Sequence, residues 1–436
     1  MVEKGGRQFF YGYVVVIGAW LAMFVAGGAQ FSFSIFVPAL LEDFGWTRGM
    51  LSLGLTLNMI LMPVFALGGA YLVDRIGPRW TVIIGAVIGS IGVSLLSTVT
   101  QIWQFILIYG ILVSMGIGLC YIIVTVATVR RWFMRKAARM VAIAMTGSGL
   151  GIVFLVLVAH GMIESWGWST SYIAFGIILL VGGVIGGLLL KKDPESIGTY
   201  PDGVKPTEEE LEARADFAAR GERWSVREAF RTRSWWLLIG AQLGYQVALL
   251  GFLAHLITWG AIDLGIPLGT MVLIYSCVFM LSAVLGRLFG GFLSDWYMAR
   301  FRISRKPVLY LTTLGVGLAT FLCLGVDNSL GIILVSVLLG FCYGSGLAVF
   351  PTYLGDLFGV RNVAVLFGVS AIFVGGFGAI GPALYGFSYD ATGSYNLAFT
   401  VTGVLCIVSA LCLFLLRRPR KKREVPSPLM GVETEA

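Results

Sequence analysis

The chain has 436 residues, of which 58% are hydrophobic and 12% are charged, and its mean hydropathy is +0.88. A soluble domain averages about a quarter charged residues, so this composition excludes an ordinary soluble protein. Long apolar runs recur along the whole sequence, and about 20 apolar residues are enough for one helix to cross a bilayer. The sequence therefore predicts an all-α membrane protein.

Twelve apolar segments follow one another in chain order. They occupy residues 11–40, 49–73, 80–99, 103–129, 138–163, 169–190, 235–260, 268–294, 306–325, 329–354, 362–387 and 394–416. The first is too long for the apolar region of a cleaved signal peptide, so we expect it to remain as a helix. The six cysteines lie inside these segments without a CxxC pair, which is typical of small packing residues. Two histidines are too few for a metal cluster, and we expect neither a metal site nor a cofactor.

The formal net charge is +8, which would suit a nucleic-acid partner, but the basic residues are sorted by loop. They fall at the N-terminus, in loops 2–3, 4–5, 8–9 and 10–11, in a long central loop and in the C-terminal tail, whereas the opposite set of loops contains only Arg48. Basic residues stay on the cytoplasmic side of a membrane protein. We therefore expect both termini in the cytoplasm, a multi-pass location in the plasma membrane (the inner membrane in a bacterium), contacts to anionic lipid and no nucleic-acid partner.

Residues 191–233 form the long polar connector, which divides the chain into two halves of six segments. The stretches "TEEE" (207–210) and "SVRE" (225–228) are capping boxes, in which a hydroxyl and a glutamate satisfy the first amides of a helix. We expect short surface helices there. The predicted organisation is an N-terminal six-helix bundle at 1–190, a cytoplasmic central loop with short helices at 191–233, a C-terminal six-helix bundle at 234–418 and a cytoplasmic tail at 419–436.

The two halves repeat a short sequence. The second segment ends in "GGAYLVDRIGPR" (68–79) and the eighth in "GGFLSDWYMAR" (290–300), which places Asp74 and Asp295 221 positions apart. Internal duplication on this scale is how many transporter folds are built. A carboxylate at a helix C-terminus is unfavourable with the helix dipole, so Asp74 needs a nearby cation, which Arg75 or Arg79 would supply.

Twelve segments, a central loop and this repeated sequence resemble the major facilitator superfamily. The second copy keeps the glycine spacing of the family, whereas the first has Ala70 at the equivalent position. The resemblance implies twelve transmembrane helices in two six-helix bundles. It also implies a cytoplasmic gating cluster, formed by Asp74, Arg75, Arg79 and Asp295. Ordinary interface charges without a gating role are the alternative.

One branch of that superfamily has a similar ordered set of short sequences. Here the set comprises "GAQFSFSIF" (28–36), "RWF" (131–133), "DPESIGTYPDG" (193–203), "WSVREAFRTRSWW" (224–236) and "HLITWGAIDLGIP" (255–267). The branch contains the monocarboxylate transporters and the oxalate:formate antiporters. Because the set extends over nearly the whole chain, it implies the branch, although it does not specify a substrate.

Arg287 is the only formally charged residue between Pro267 and Ser294. A charge at membrane depth costs at least ~2.5–3.5 kcal/mol on insertion scales and marks a functional candidate. Its planar guanidinium group can donate two parallel hydrogen bonds to one carboxylate. The alternative is that the side chain extends toward the membrane surface and Asp295. The family resemblance implies that this arginine binds the substrate anion.

The resemblance also allows the charged residues in the membrane segments to be compared with those of related carriers. Oxalate-type antiporters carry a second cation in segment 11, which here has neither lysine nor arginine. Animal-type monocarboxylate carriers have a lysine and an acid at positions that look like Phe31 and Ala283 here. One fixed cation balances one carboxylate, whereas an uncompensated buried charge is strongly unfavourable. We therefore expect a small monoanion such as lactate or pyruvate.

Other polar side chains complete the predicted site. His255 and Asp263 match the pattern of the branch near the outer end of segment 7, and histidine exchanges protons near neutral pH. Both are candidates for proton coupling, as is the substrate carboxylate itself, protonated against Arg287. A satisfied core imidazole and a solvated loop acid are the alternatives. Candidate pocket walls share a polar or aromatic side chain in the inner segments, where packing alone is the alternative; they are Gln30, Asn58, Tyr121, Tyr245, Tyr343 and Ser370.

These observations predict a secondary active transporter, and not an enzyme, that moves a lactate- or pyruvate-like anion by alternating access together with a proton. Exchange of organic anions or dicarboxylates is the first alternative, followed by a non-transporting receptor and an exporter of hydrophobic compounds. The expected partners are the organic anion, a proton and membrane lipids. The sequence leaves the oligomeric state open, and a monomer is compatible with it.

Overall fold

The computed structural model of the chain describes residues 10–133, 136–205, 207–208, 224–301, 305–359 and 363–419. Ten helical stretches among these residues are long and apolar enough to cross a membrane. Two of them, Arg48–Thr98 and Arg139–Leu189, have 51 residues each, or about 75 Å of helix at 1.5 Å per residue. Each is broken at a glycine with positive φ, Gly77 at 84° and Gly167 at 75°, so each supplies two spans and the total is the predicted twelve.

The first six spans are built from helices that are interrupted at several points. Span 1 is Gly12–Phe31 followed by Phe33–Phe44, spans 2 and 3 are the two parts of Arg48–Leu95 on either side of Gly77, and Leu96–Thr98 is a 3₁₀ turn. Span 4 is Ile102–Leu107, the π-helical Ile108–Val113, Ser114–Cys120 and Ile122–Trp132. Spans 5 and 6 are the two parts of Ala137–Leu189 around Gly167.

The last six spans have the following bounds. Span 7 is Arg233–Thr258 with the π-helical Trp259–Asp263, and span 8 is Leu268–Leu273, the π-helical Ile274–Phe279 and Met280–Phe301. Span 9 is Lys306–Leu322 with the 3₁₀ turn Cys323–Gly325, and span 10 is Ser329–Phe358. Span 11 is Val363–Gly378 and Ile380–Thr392, and span 12 is Asn396–Leu415. Because successive spans alternate in direction, loops 1–2, 3–4, 5–6, 7–8, 9–10 and 11–12 share one end, which we call the outer end.

Small residues bring the helices of the N-terminal bundle into close contact. A Cβ atom added to Gly186 would lie 2.9 Å from the carbonyl oxygen of Gly18, and one added to Gly183 would lie 2.4 Å from the side chain of Ala86. Span 6 therefore packs its glycine-rich stretch directly against spans 1 and 3. Lipid-embedded helices associate through such contacts because burial of apolar side chains supplies no driving force within the bilayer.

The central connector contains the expected capped helix. Val226–Phe230 begins after Ser225, whose hydroxyl accepts a hydrogen bond from the amide of Glu228 (3.1 Å) while the Glu228 carboxylate accepts one from the amide of Ser225 (2.7 Å). Two 3₁₀ turns, Glu195–Ile197 and Pro201–Gly203, precede it. The other predicted capping box extends into residues 209–223, which lie outside the described residues, as do residues 420–436 of the predicted tail.

Candidate functional site

Arg287 lies on the side of span 8 that is directed toward the rest of the protein. Its neighbours Leu288, Phe289 and Phe292 expose 65%, 58% and 71% of their surface and form the lipid-facing side of the helix. Ala283, Gly286 and Gly290 lie on the buried side, and Arg287 is itself partly buried. The guanidinium group is therefore directed away from lipid.

Close backbone packing fixes the position of Arg287 relative to span 10. A Cβ atom added to Gly286 would lie 2.1 Å from the carbonyl oxygen of Phe341, and one added to Gly344 would lie 1.8 Å from that of Ala283. Only glycine permits the two backbones to approach this closely. The contact places Arg287 beside Tyr343, and the guanidinium group interacts electrostatically with the hydroxyl of Tyr343.

Two further tyrosines interact with the charge of Arg287, one from each bundle. Tyr245 of span 7 is within electrostatic range, and its hydroxyl donates to the carbonyl oxygens of Tyr343 (2.9 Å) and Cys342 (3.2 Å). Tyr121 of span 4 is also within range, and its hydroxyl is 2.5 Å from that of Ser148. Because Tyr121 belongs to the N-terminal bundle, the charge of Arg287 acts on residues of both bundles.

Span 4 is discontinuous at Tyr121. This residue has φ −97° and ψ −151°, and it separates the helices Ser114–Cys120 and Ile122–Trp132. Interrupted membrane helices leave backbone groups free of the regular hydrogen-bond ladder, and in transporter folds such interruptions occur where substrates bind. The interruption therefore occurs at the residue of the N-terminal bundle that lies within electrostatic range of Arg287.

Arg287 retains unsatisfied binding capacity. Its Nε atom is buried and has no hydrogen-bond partner, and none of the described carboxylates forms an ion pair with it. The side chain of Asp295, which was the predicted snorkelling partner, lies outside the described residues. A guanidinium group flanked by phenol hydroxyls is an arrangement that binds anions through charge-assisted hydrogen bonds.

The other predicted wall residues form separate contacts. Gln30 and Asn58 are buried and paired, with Gln30 Nε2 donating to Asn58 Oδ1 (2.7 Å) and Asn58 Nδ2 donating to the carbonyl oxygen of Tyr109 (3.0 Å). The Oε1 atom of Gln30 is buried without a partner. The hydroxyl of Ser370 donates to the carbonyl oxygen of Phe367 in its own helix (2.8 Å).

The two residues predicted to couple protons lie together at the outer end, in a cluster that includes a residue the sequence analysis did not select. Asp263 accepts both arms of the Arg48 guanidinium, Nη1 to Oδ2 at 2.6 Å and Nη2 to Oδ1 at 2.9 Å. His255 is buried, and its two ring nitrogens contact Tyr395 Oη (2.9 Å) and Ser52 Oγ (3.0 Å). The sequence signal for Arg48 was its isolation as the single basic residue of the outer loops.

The predicted cytoplasmic cluster has a different internal pairing from the one expected. Asp74 is bound by Arg131 of span 4, with Nη2 to Oδ1 at 2.5 Å, and not by the expected Arg75 or Arg79. Arg75 lies over the ring of Tyr71, 4.7 Å from its centroid, and Arg79 donates to the carbonyl oxygen of Leu188 (2.8 Å). Arg75 extends along the surface of its own helix, and Arg79, at the start of span 3, reaches across to span 6, so that Arg131 of span 4 is the cation that meets Asp74.

Known proteins match the chain over nearly its whole length. The family model described as Major Facilitator Superfamily matches residues 19–304 and 278–434. The human protein named monocarboxylate transporter 12 is 22% identical over 98% of this chain and 84% of its own length. The oxalate:formate antiporter of Oxalobacter formigenes is 23% identical over 97% of this chain and 96% of its own length.

Solved structures match the fold as well. A bacterial homologue of the human lysosomal transporter Spinster, in an inward-facing and unoccupied conformation, has a TM-score of 0.73 at 15% sequence identity. The alignment covers 94% of this chain and 98% of that one. At this identity the likeness concerns the arrangement of helices and not the substrate.

Proposed function

Because the chain belongs to the major facilitator superfamily and is a transporter, we propose that it moves a small monocarboxylate of the lactate or pyruvate class across the membrane by alternating access. The observation that carries the proposal is the buried Nε atom of Arg287, which has no hydrogen-bond partner, in a side chain whose charge acts on tyrosines of both bundles. A substrate carboxylate would bind this guanidinium and the adjacent hydroxyls of Tyr343 and Tyr121.

Contact with both bundles gives the anion its role in transport. A ligand shifts a conformational equilibrium only through its different affinities for the two states. An anion held by Arg287 and Tyr343 of the C-terminal bundle and by Tyr121 of the N-terminal bundle favours a state in which the bundles converge on it. We infer that this occluded state lies between the outward-open and inward-open forms.

The charge count supports a monoanion. Arg287 is the one basic residue of span 8 within the bilayer, and residues 363–392 of span 11 contain no lysine or arginine. A dicarboxylate would bring a second negative charge without a partner, and such a buried charge is unfavourable. The relatives named monocarboxylate transporter and oxalate:formate antiporter support the broader class of small organic anions.

We further propose that transport is coupled to a proton, with His255 and Asp263 as the coupling residues. In the same proposal both termini are cytoplasmic, and Asp74, Arg75, Arg79 and Asp295 belong to the cytoplasmic gate. A second candidate is exchange of one anion for another, which the antiporter relative favours. Exchange requires an anion on the opposite side of the membrane, whereas symport proceeds without one and is accelerated by a proton gradient.

Uptake of radiolabelled lactate into proteoliposomes tests the proposal. We expect an acid-outside gradient to accelerate accumulation by the wild-type protein, and we expect Arg287→Ala and Arg287→Lys to abolish it. Arg227→Lys, in an exposed position of the central loop, is the matched control and should retain uptake. Normal uptake by either Arg287 variant would refute the proposed role, and uptake that requires internal anion but ignores the gradient would identify exchange.

A further inference from the structure

A cluster of charged and aromatic residues joins the two bundles at the outer end. Arg48 opens span 2 of the N-terminal bundle and is only 6% exposed. Its bidentate partner Asp263 ends span 7 of the C-terminal bundle, at 2.6 and 2.9 Å. We propose that Arg48, Asp263 and Asp390 form the outer gate of the carrier and that protonation of His255 releases it. The proposal rests on the alternating-access function proposed above.

A second carboxylate holds the same helix end from the opposite bundle. The Oδ1 atom of Asp390 accepts a hydrogen bond from the amide of Arg48 (3.1 Å), and its Oδ2 atom accepts one from the amide of Gly49 (2.9 Å). These amides are among the four that a helix leaves unsatisfied at its N-terminus, where a negative charge is also favoured by the helix dipole. Span 11 thus caps span 2 across the interface.

The backbones approach closely where the cap forms. A Cβ atom added to Gly386 would lie 2.7 Å from the Cα atom of Gly49, and one added to Gly49 would lie 2.5 Å from Asp390 Oδ2. Glycine at both positions is therefore required for the closed arrangement. Two more hydrogen bonds join the bundles farther along, from Thr56 Oγ1 to the carbonyl oxygen of Ala379 (2.8 Å) and from Tyr275 Oη to that of Phe31 (3.3 Å).

Two tyrosines of the C-terminal bundle enclose the guanidinium group of Arg48. Its Cζ atom lies 3.6 Å from the ring centroid of Tyr389, and the hydroxyl of Tyr389 donates to Asp263 Oδ1 (2.7 Å). The Nη1 atom of Arg48 also donates to Tyr395 Oη (2.9 Å). A desolvated guanidinium over an aromatic face gains a cation–π attraction in addition to its ion pair, so the closed gate is held by several mutually supporting contacts.

The hydrogen bonds around His255 define its tautomer. Its Nε2 atom is 3.0 Å from the carbonyl oxygen of Pro382, which can only accept, so Nε2 carries a proton. The Ser52 hydroxyl donates to the carbonyl oxygen of Arg48 (2.7 Å), so its oxygen accepts from the same Nε2 (3.0 Å). Tyr395 Oη accepts from Arg48 and therefore donates its own proton to Nδ1 of His255. The neutral imidazole is fully satisfied in the closed gate.

Protonation at Nδ1 is incompatible with this network. The imidazolium would direct a second cationic N–H group at Tyr395 Oη, which already accepts from the guanidinium of Arg48. The hydroxyl proton of Tyr395 would lose its acceptor, and two positive groups would share one oxygen atom. The charged and titratable groups around His255 are those of the network itself and its aromatic neighbours: Arg48, Asp263, Asp390, Tyr385, Tyr389 and Tyr395. Separation of the bundles relieves this conflict.

The distance between two spin labels on the outer loops tests the gate without any substrate. Thr100→Cys in the N-terminal bundle and Asp327→Cys in the C-terminal bundle are exposed positions outside the cluster, and they are labelled in a variant whose six native cysteines are replaced. We expect Arg48→Ala and Asp263→Asn to raise the ratio of long to short distances about tenfold or more, because loss of one partner from a buried charge pair weakens an interface by at least that factor.

Asp356→Asn is the matched control. Asp356 is paired with Arg305 at 2.7 and 2.8 Å, but both residues belong to the C-terminal bundle, so the outer distances should remain those of the parent. An unchanged distribution in both Arg48→Ala and Asp263→Asn would overturn the gate. Failure of lactate uptake in the parent would instead refute the proposed function and leave the distance measurement unaffected.

A pH series with the same labels tests the role of His255. We expect the long distance to become more populated as pH falls from about 7.5 to 5.5, the range in which histidine titrates, and we expect His255→Gln to show no such response. A distribution that does not change with pH in the parent, or that changes equally in His255→Gln, would overturn the assignment of His255.

Discussion

Substitution of Gly286 by alanine tests whether the close packing of spans 8 and 10 positions Arg287. A new Cβ atom would lie 2.1 Å from the carbonyl oxygen of Phe341 and 2.8 and 2.9 Å from two more of its backbone atoms. Contacts of this kind stay above 3.0 Å, so the helices must separate by about 1 Å. Overpacking of this kind costs ~1–3 kcal/mol, which exceeds the ~0.5–1 kcal/mol that alanine gains over glycine inside a helix.

The same movement carries Arg287 away from Tyr343. We expect Gly286→Ala to lower the melting temperature and to weaken lactate binding by about tenfold to a hundredfold, the range that corresponds to the loss of one charge-assisted hydrogen bond of ~1.5–3 kcal/mol. Isothermal titration calorimetry and thermal unfolding of the purified protein measure the two effects. Gly291→Ala is the control on the same helix, because a Cβ atom there meets nothing within 4 Å. A Gly286→Ala variant that binds and melts like the Gly291→Ala variant would refute the reasoning.

Two more substitutions separate binding from stability. Tyr121→Phe removes a hydroxyl near Arg287 and should weaken lactate binding about fivefold, or ~1 kcal/mol, with little change in melting temperature. Unaltered affinity in calorimetry would count against Tyr121 as a ligand. Asn58→Leu leaves the buried Gln30 amide without its acceptor. The variant should be destabilised by ~1–2 kcal/mol in thermal unfolding while its lactate affinity is retained. A selective loss of affinity would instead place Asn58 in the site.

The fold was predictable because its signals are local. Length of apolar segments, the sorting of basic residues and the central polar loop gave twelve spans, and the structure and the family match confirm them. The breaks at Gly77 and Gly167 were less visible, since each connection between spans is centred on one residue with positive φ. The capped helix after Ser225 was also predictable, because its reciprocal bonds join residues only three positions apart.

The outer cluster was not predictable from one sequence, because its bonds connect distant parts of the chain. Arg48 and Asp263 are 215 positions apart, and Arg48 and Asp390 are 342 apart. The sequence showed Arg48 only as an exception to the distribution of basic residues and Asp263 as a candidate for proton coupling, with nothing to indicate that the two residues pair. Asp74 illustrates the same limit, since the adjacent Arg75 and Arg79 were natural candidates and the actual partner, Arg131, is 57 positions away.

The position of Arg287 could be predicted in part. Its isolation in an apolar segment marked it as a candidate. The three tyrosines around it were named as members of a larger set, but periodicity alone did not separate them from Gln30, Asn58 and Ser370, which form contacts of their own. Side chains on different helices meet only through the packing of the complete bundle.

The most direct measurement of the central claim is a thermal-shift comparison of matched acids on the purified protein. If one guanidinium binds one carboxylate, propionate and lactate should raise the melting temperature of the wild type by a few degrees, since a ligand at 100 times its Kd stabilises by ~2.7 kcal/mol. Malonate should not, and Arg287→Lys should abolish the shift. Equal stabilisation by malonate and propionate, or an unchanged shift in Arg287→Lys, would contradict the account.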